Sequence, residues 1–249
     1  MRFGQNPPTA APCPAHGSMA LNRTAPHSWL TTRVGVWRTA LAMTSIMAFL
    51  ITSPVSPALA DEAEPGPSAE EAQAARMPVV QLEETLLSVM KRADELGFAG
   101  RLSEITPVVE ATFDLPFMAK TSIGRIWKSL TPEVQTRWVQ SFTRYTTSKL
   151  ADQFDGFSGQ EFTLKGERPA SRGTLIVMTR VERPGKDPVR LDFRVRKAAE
   201  SWLIIDIYGK GKVSEVALRR SEYAAILEDD GIEGLIASVD ALSEKTASK

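Results

Sequence analysis

The sequence predicts an α+β fold: N-terminal helices, a bent antiparallel sheet of about four strands, then C-terminal helices. Three observations carry that prediction. Apolar residues recur every three to four positions from Val79 to Phe154, the spacing of an amphipathic helix. The period drops to two between Phe162 and Val195, as in strands with one face buried. It returns to three and four between Val213 and Leu242. The turns between the alternating stretches are too short for parallel crossovers, so the strands pair antiparallel.

The chain opens on a stretch that reads as a secretory leader, residues 1–60. Arg33 and Arg38 form a basic start, and Thr39–Thr52 is an apolar run of 14 residues. A membrane span needs about 20 such residues, so the run suits a cleaved leader better than an anchor. Ala58-Leu59-Ala60 is a small-residue cleavage site, with cleavage after Ala60. Residues 1–18 are Pro-rich and unlike a leader's start, which makes Met19 a candidate first residue. Residues 61–75 are acidic and carry no large apolar side chain, so they read as a disordered linker. The folded domain is then 76–249.

Within it, Pro78 suits a first helical position, and Gly97 a C-terminal cap after Val79, Leu82, Leu86 and Leu96. A second, short helix covers Leu102–Thr112. Asp114 caps a third that carries Pro116 in its first turn and ends near Gly124. Thr131-Pro132-Glu133 starts a fourth, which reaches about Phe154 with Val134, Trp138, Phe142, Tyr145 and Leu150 on its apolar side. Strands follow at Phe162–Leu164, Thr174–Val181, Val189–Arg196 and Ser201–Tyr208, with a turn at 184–188. Two helices end the chain: Val213–Leu227, and one with the stripe Ile232, Leu235, Ile236, Val239 and Leu242.

Composition narrows the chemistry. His16, His27 and Cys13 all precede the cleavage site, so the mature chain has no imidazole and no thiol. That excludes a Ser-His triad, a thiol nucleophile and a His/Cys metal cluster. There is no phosphate-binding glycine loop, no G-x-G-x-x-G and no G-x-S-x-G. No cofactor is implied. The mature chain has 26 Lys+Arg against 30 Asp+Glu, which argues against nucleic acid as a partner. Glu228-Asp229-Asp230 reads as a solvated helix end. The polar strand face Arg190/Asp192/Arg194/Arg196 could meet an anion, but cross-strand pairing with Arg180 and Glu182 is the simpler reading. The aromatics cluster between Phe113 and Phe157, and composition alone fits a solid core or an oily pocket equally well.

The motifs, taken in order, resemble the MlaC/toluene-tolerance family. Phe113-Asp114-Leu115-Pro116-Phe117-Met118-Ala119, Gly124-Arg125-Ile126-Trp127 and Thr131-Pro132-Glu133 are similar to its F-D…M-A, G-R-x-W and T-P-E. Arg168-Pro169, Asp192-Phe193-Arg194-Val195-Arg196-Lys197 and Trp202-Leu203-Ile204-Ile205-Asp206-Ile207 resemble its R-P, D-Y-R-L-R-K and W-K-V-x-D-V. The resemblance spans about residues 79–242. The stretch Ser214–Ala225 looks like a branch associated with hopanoid-producing bacteria.

The resemblance implies an apolar cavity enclosed by the helices and the bent sheet, and no enzymatic activity. It implies a monomeric periplasmic carrier of phospholipid or hopanoid. Such a carrier works with an inner-membrane ABC transporter complex and an outer-membrane lipoprotein complex. Candidate lipid-binding residues are Phe113, Trp127, Phe142, Tyr145, Met178, Phe193, Ile205, Ile207 and Tyr223. Two other functions fit the residues alone: a hydrolase using carboxylates only, and an adaptor that docks to a transporter without carrying lipid.

Overall fold

A computed structural model describes residues 66–248. The expected leader lies outside the described residues. Helix α1 (Ala69–Lys91) begins at Ser68, whose side chain accepts from the Glu71 amide at 3.1 Å. The helix thus takes in most of the described part of the expected linker. Ala72 and Ala75 are buried, and Arg76 pairs with Glu167 on the sheet. Pro78 therefore sits in the helix interior, not at its start. An interior proline costs about 3 kcal/mol. Burial of Val79, Leu82, Leu86 and Val89 on the same helix offsets that cost.

The break expected at Gly97 lies within helix α2 (Ala93–Thr112), where Gly97 has φ 57°. Arg101 ties the bend together, donating to the carbonyls of Ala151 at 2.9 Å and Ala93 at 3.2 Å. Helix α3 (Leu115–Ile123) is capped by Asp114, which accepts from the Phe117 amide at 3.0 Å. It ends at Gly124 (φ 61°), where a Cβ would stand 2.7 Å from the Arg220 guanidinium. A short 3₁₀ turn (Gly124–Ser129) leads to helix α4 (Pro132–Gln153), capped by Thr131. Both caps were visible in the sequence because a short polar side chain before a proline-bearing first turn satisfies free amides locally.

The sheet is an antiparallel meander of β1 (Glu161–Ala170), β2 (Thr174–Arg183), β3 (Lys186–Ala198), β4 (Ser201–Gly209) and β5 (Val213–Ser214). The short β5 is beyond the four strands expected. The turn shrinks to Pro184-Gly185, because Lys186–Pro188 already belong to β3. Register irregularities near Lys165, Glu182 and Ile205 bend the strands. The row Leu175/Val195/Ile204 and the row Val177/Phe193/Ile207 face the helices.

On the other face, Arg190 bonds Asp192 on its own strand, with Nη2 to Oδ2 at 2.6 Å. The expected pairing of these residues with Arg180 and Glu182 does not form. Arg180 stands opposite Arg190, and Glu182 is paired with Lys165.

Helix α1 packs across β1–β4, while α4 packs on α2, α3 and α6. Helix α5 (Glu215–Asp229) sits on α3 and β4, and α6 (Gly231–Ala247) on α4 and α5. The α6 stripe buries Leu235, Ile236 and Val239, but Leu242 is 47% exposed beyond its neighbours. Among the described residues no helix is long and apolar enough to cross a membrane.

Candidate functional site

The seam where α4 and α5 meet the sheet is not fully closed. One face of α4 contributes Phe142, Tyr145, Thr146, Lys149, Leu150 and Gln153 to a pocket there. These positions recur at three and four residues, the same spacing that buries the helix. The sheet contributes Leu191, Ile207 and Gly209. Val216 and Arg219 come from α5, with Glu215 at its start.

Phe113 and Met118 complete the wall from the α2–α3 junction. That junction is held hard against the sheet. The Asp114 amide donates to the Ile204 carbonyl at 2.8 Å, and its carboxylate accepts from Arg196 Nε at 2.7 Å. The same carboxylate caps α3. One aspartate thus fixes the helix start, the strand contact and the direction of Phe113.

The pocket has two kinds of surface. Phe113, Met118, Phe142, Leu191, Ile207 and Val216 make an apolar wall. Lys149, Gln153, Glu215 and Arg219 make a polar rim. Arg219 pairs with Glu215 and Glu222 and lies 5.0 Å from the Tyr145 ring centre. Burial pushes the Tyr145 phenol above its ordinary range, with the Arg219 charge pulling the other way.

The cavity measures about 150 Å³. Pockets for small molecules commonly span ~300–1,000 Å³. The apolar cavity expected between sheet and helices is therefore mostly filled by side chains: Phe193, Val195, Ile204 and Leu82 are at most 1% exposed.

Of the nine expected pocket residues, Phe113, Phe142, Tyr145 and Ile207 meet at this site. The other five do not. Phe193 is solid core beside Ile207. Tyr223 packs edge-on against Trp138 at 5.4 Å, its buried hydroxyl unpartnered. Trp127 lies on the 3₁₀ turn, half-buried against the core. Met178 shares the outer face with Asp192. Ile205 is turned outward by the bulge in the β3–β4 ladder. Sequence reasoning missed Met118, Lys149, Leu150, Leu191, Val216 and Arg219. Leu150 was already on the α4 stripe, and Met118 was already in the F-D…M-A motif.

A sequence model described as MlaC protein matches residues 81–241 of this chain. The chain belongs to the MlaC family. The match runs from α1 to α6 and takes in every element that lines the pocket. The fold is also similar to a solved structure from Ralstonia solanacearum, a phospholipid-binding protein in complex with a phospholipid. The two share 23% identity at a TM-score of 0.60, over 70% of this chain and 98% of that one. At that identity the likeness establishes the fold of this MlaC-family member.

The shared motifs also have structural reasons here. The Asp114–Arg196 pair joins the first motif to the strand motif, and Arg196 stacks over Phe117 at 4.3 Å. Trp138 Nε1 donates to the Ala119 carbonyl at 2.9 Å, which locks α4 onto α3.

Proposed function

We propose that this protein is a periplasmic carrier that shelters the acyl chain of a phospholipid or hopanoid in the pocket between α4, α5 and the sheet. It works as a monomer between an inner-membrane ABC transporter complex and an outer-membrane lipoprotein complex, and catalyses no reaction. It is exported, with its leader cleaved after Ala60. The observation that carries this reading is the pocket itself: an apolar wall with a charged rim, in an MlaC-family fold. That division suits an amphiphile with its chain inside and its polar end at Lys149 and Arg219. Each CH₂ taken out of water contributes about 0.8 kcal/mol, so a long chain supplies a large driving force without any reactive group.

A cavity of about 150 Å³ holds only part of such a chain. Loading therefore widens the seam, parting α4 and α5 from β3 and β4. The narrowness favours one other reading, an adaptor that docks to a transporter and carries nothing.

Native mass spectrometry of protein purified without detergent separates the two. Bound lipid supports the carrier. Protein that stays empty after incubation with phospholipid and hopanoid vesicles supports the adaptor.

A further inference from the structure

The outer face of the sheet carries a second concavity that the carrier reading leaves unused. It measures about 380 Å³ and is walled by α3, the β1–β2 turn, β3 and β4. Four cationic residues line it: Arg172, Arg194, Arg196 and Lys197. Arg196 is neutralised by Asp114. Among the described residues the other three have no carboxylate hydrogen-bonded or ion-paired to them.

Arg194 is the most constrained of the three. Its Nε donates to Thr174 Oγ1 at 2.9 Å, and its Nη2 to the Ser171 carbonyl and hydroxyl at 2.9 Å. The guanidinium is thus pinned to the β1–β2 turn by neutral hydrogen-bond acceptors. Asp206, the one carboxylate in the lining, faces Arg194 across the β3–β4 ladder, but its oxygens are already hydrogen-bonded. Oδ1 accepts from the Ile207 and Val216 amides, and Oδ2 from Ser214.

Arg172 and Lys197 are exposed, and among the described residues their side chains have no hydrogen-bond or ion-pair partner. Arg172 also has φ 63°, a left-handed conformation in which glycine or asparagine is commoner. Arg172 and Lys197 share the concavity with Arg194, whose charge is only partly offset by Asp206 across the ladder, so the cations outnumber the carboxylate and an anion relieves their repulsion. A pinned arginine fork with exposed cations beside it matches a tetrahedral oxyanion bearing two or more acceptor oxygens.

We propose that this concavity binds a phosphate-type oxyanion, either a free phosphate ester or the phosphate of a lipid headgroup. Val216 lines both this concavity and the apolar pocket. The headgroup form of the proposal rests on the carrier reading; the free-phosphate form does not.

The test is calorimetric titration of the full chain with inorganic phosphate, then with a short-chain anionic phospholipid below its micellar concentration. The variants are Arg194→Gln and the double change Arg172→Gln with Lys197→Gln. Neither residue of the double change has a partner to lose, so its thermal melt stays at the parent's. The parent binds phosphate, more weakly as salt rises, and each variant binds it about tenfold less tightly. Phospholipid that displaces phosphate assigns the site to a headgroup. Phosphate undisturbed by the phospholipid assigns it to a free ester. Parent that ignores phosphate, or variants that bind it as well as the parent, overturn the proposal. So does binding of an acidic peptide by parent that does not bind phosphate. A protein that carries lipid yet ignores phosphate removes this site and leaves the carrier reading standing.

Discussion

Glu83 gives the sharpest quantitative prediction. It projects from α1 toward the sheet with 7% of its surface exposed, and its Oε1 has no hydrogen-bond partner. Burial raises its carboxyl from an ordinary 4.5 to about 7, with the Thr179 hydroxyl pulling the other way. A gap of that size between folded and unfolded chain corresponds to about 3 kcal/mol, at 1.36 kcal/mol per unit. The folded state holds this proton more tightly than the unfolded chain. Full stability from this group is therefore present below about pH 4.5. It is lost as pH rises toward 7, and above 7 the buried charge is a constant cost. Glu83→Gln keeps the shape and is neutral throughout. Urea unfolding of both proteins at about pH 4 and pH 8.5 isolates the effect, because every other titrating group is shared. The variant's stability relative to the parent should rise by about 3 kcal/mol between the two conditions. A difference that is the same at both pH values refutes the reasoning.

Four further outcomes follow from other contacts. Asp114→Ala removes the α3 cap and strands Arg196, and should cost about 2 kcal/mol or more in denaturant unfolding. Trp138→Phe leaves the Ala119 carbonyl without its indole donor and should cost about 1–2 kcal/mol by the same measurement. Gly124→Ala forces a side chain into a positive-φ position against Arg220, and should lower the melting temperature. Leu191→Trp adds bulk to the apolar wall; its far-UV spectrum should match the parent's while co-purified lipid per protein falls.

The elements that the sequence made legible are those governed by local rules. The caps at Asp114 and Thr131, the break at Gly97 and the alternation of β3 depend on neighbours within four residues. What the sequence hid depends on distant partners. Residues 69–75 read as a linker because they are acidic and carry no large apolar side chain, yet Ala72 and Ala75 are buried and Arg76 is held by Glu167. Alternation places Ile205 and Ile207 on one face. The bulge opposite Arg194 and Val195 turns Ile205 and Asp206 outward together and leaves only Ile207 at the pocket. Met178 and Phe193 sit on opposite faces because of strand register, which no single strand displays. Lys149 and Arg219 escaped an apolar search because the rim of an amphiphile pocket is made of long polar side chains.

The most direct probe of the central claim is photo-crosslinking with a phospholipid carrying a diazirine near the end of its acyl chain, followed by peptide mapping. The account predicts adducts on α4 around Phe142 and Leu150 and on β3–β4 around Leu191 and Ile207, lost when unlabelled lipid competes. Adducts confined to the groove between α2, α4 and α6, or none that unlabelled lipid displaces, would contradict it.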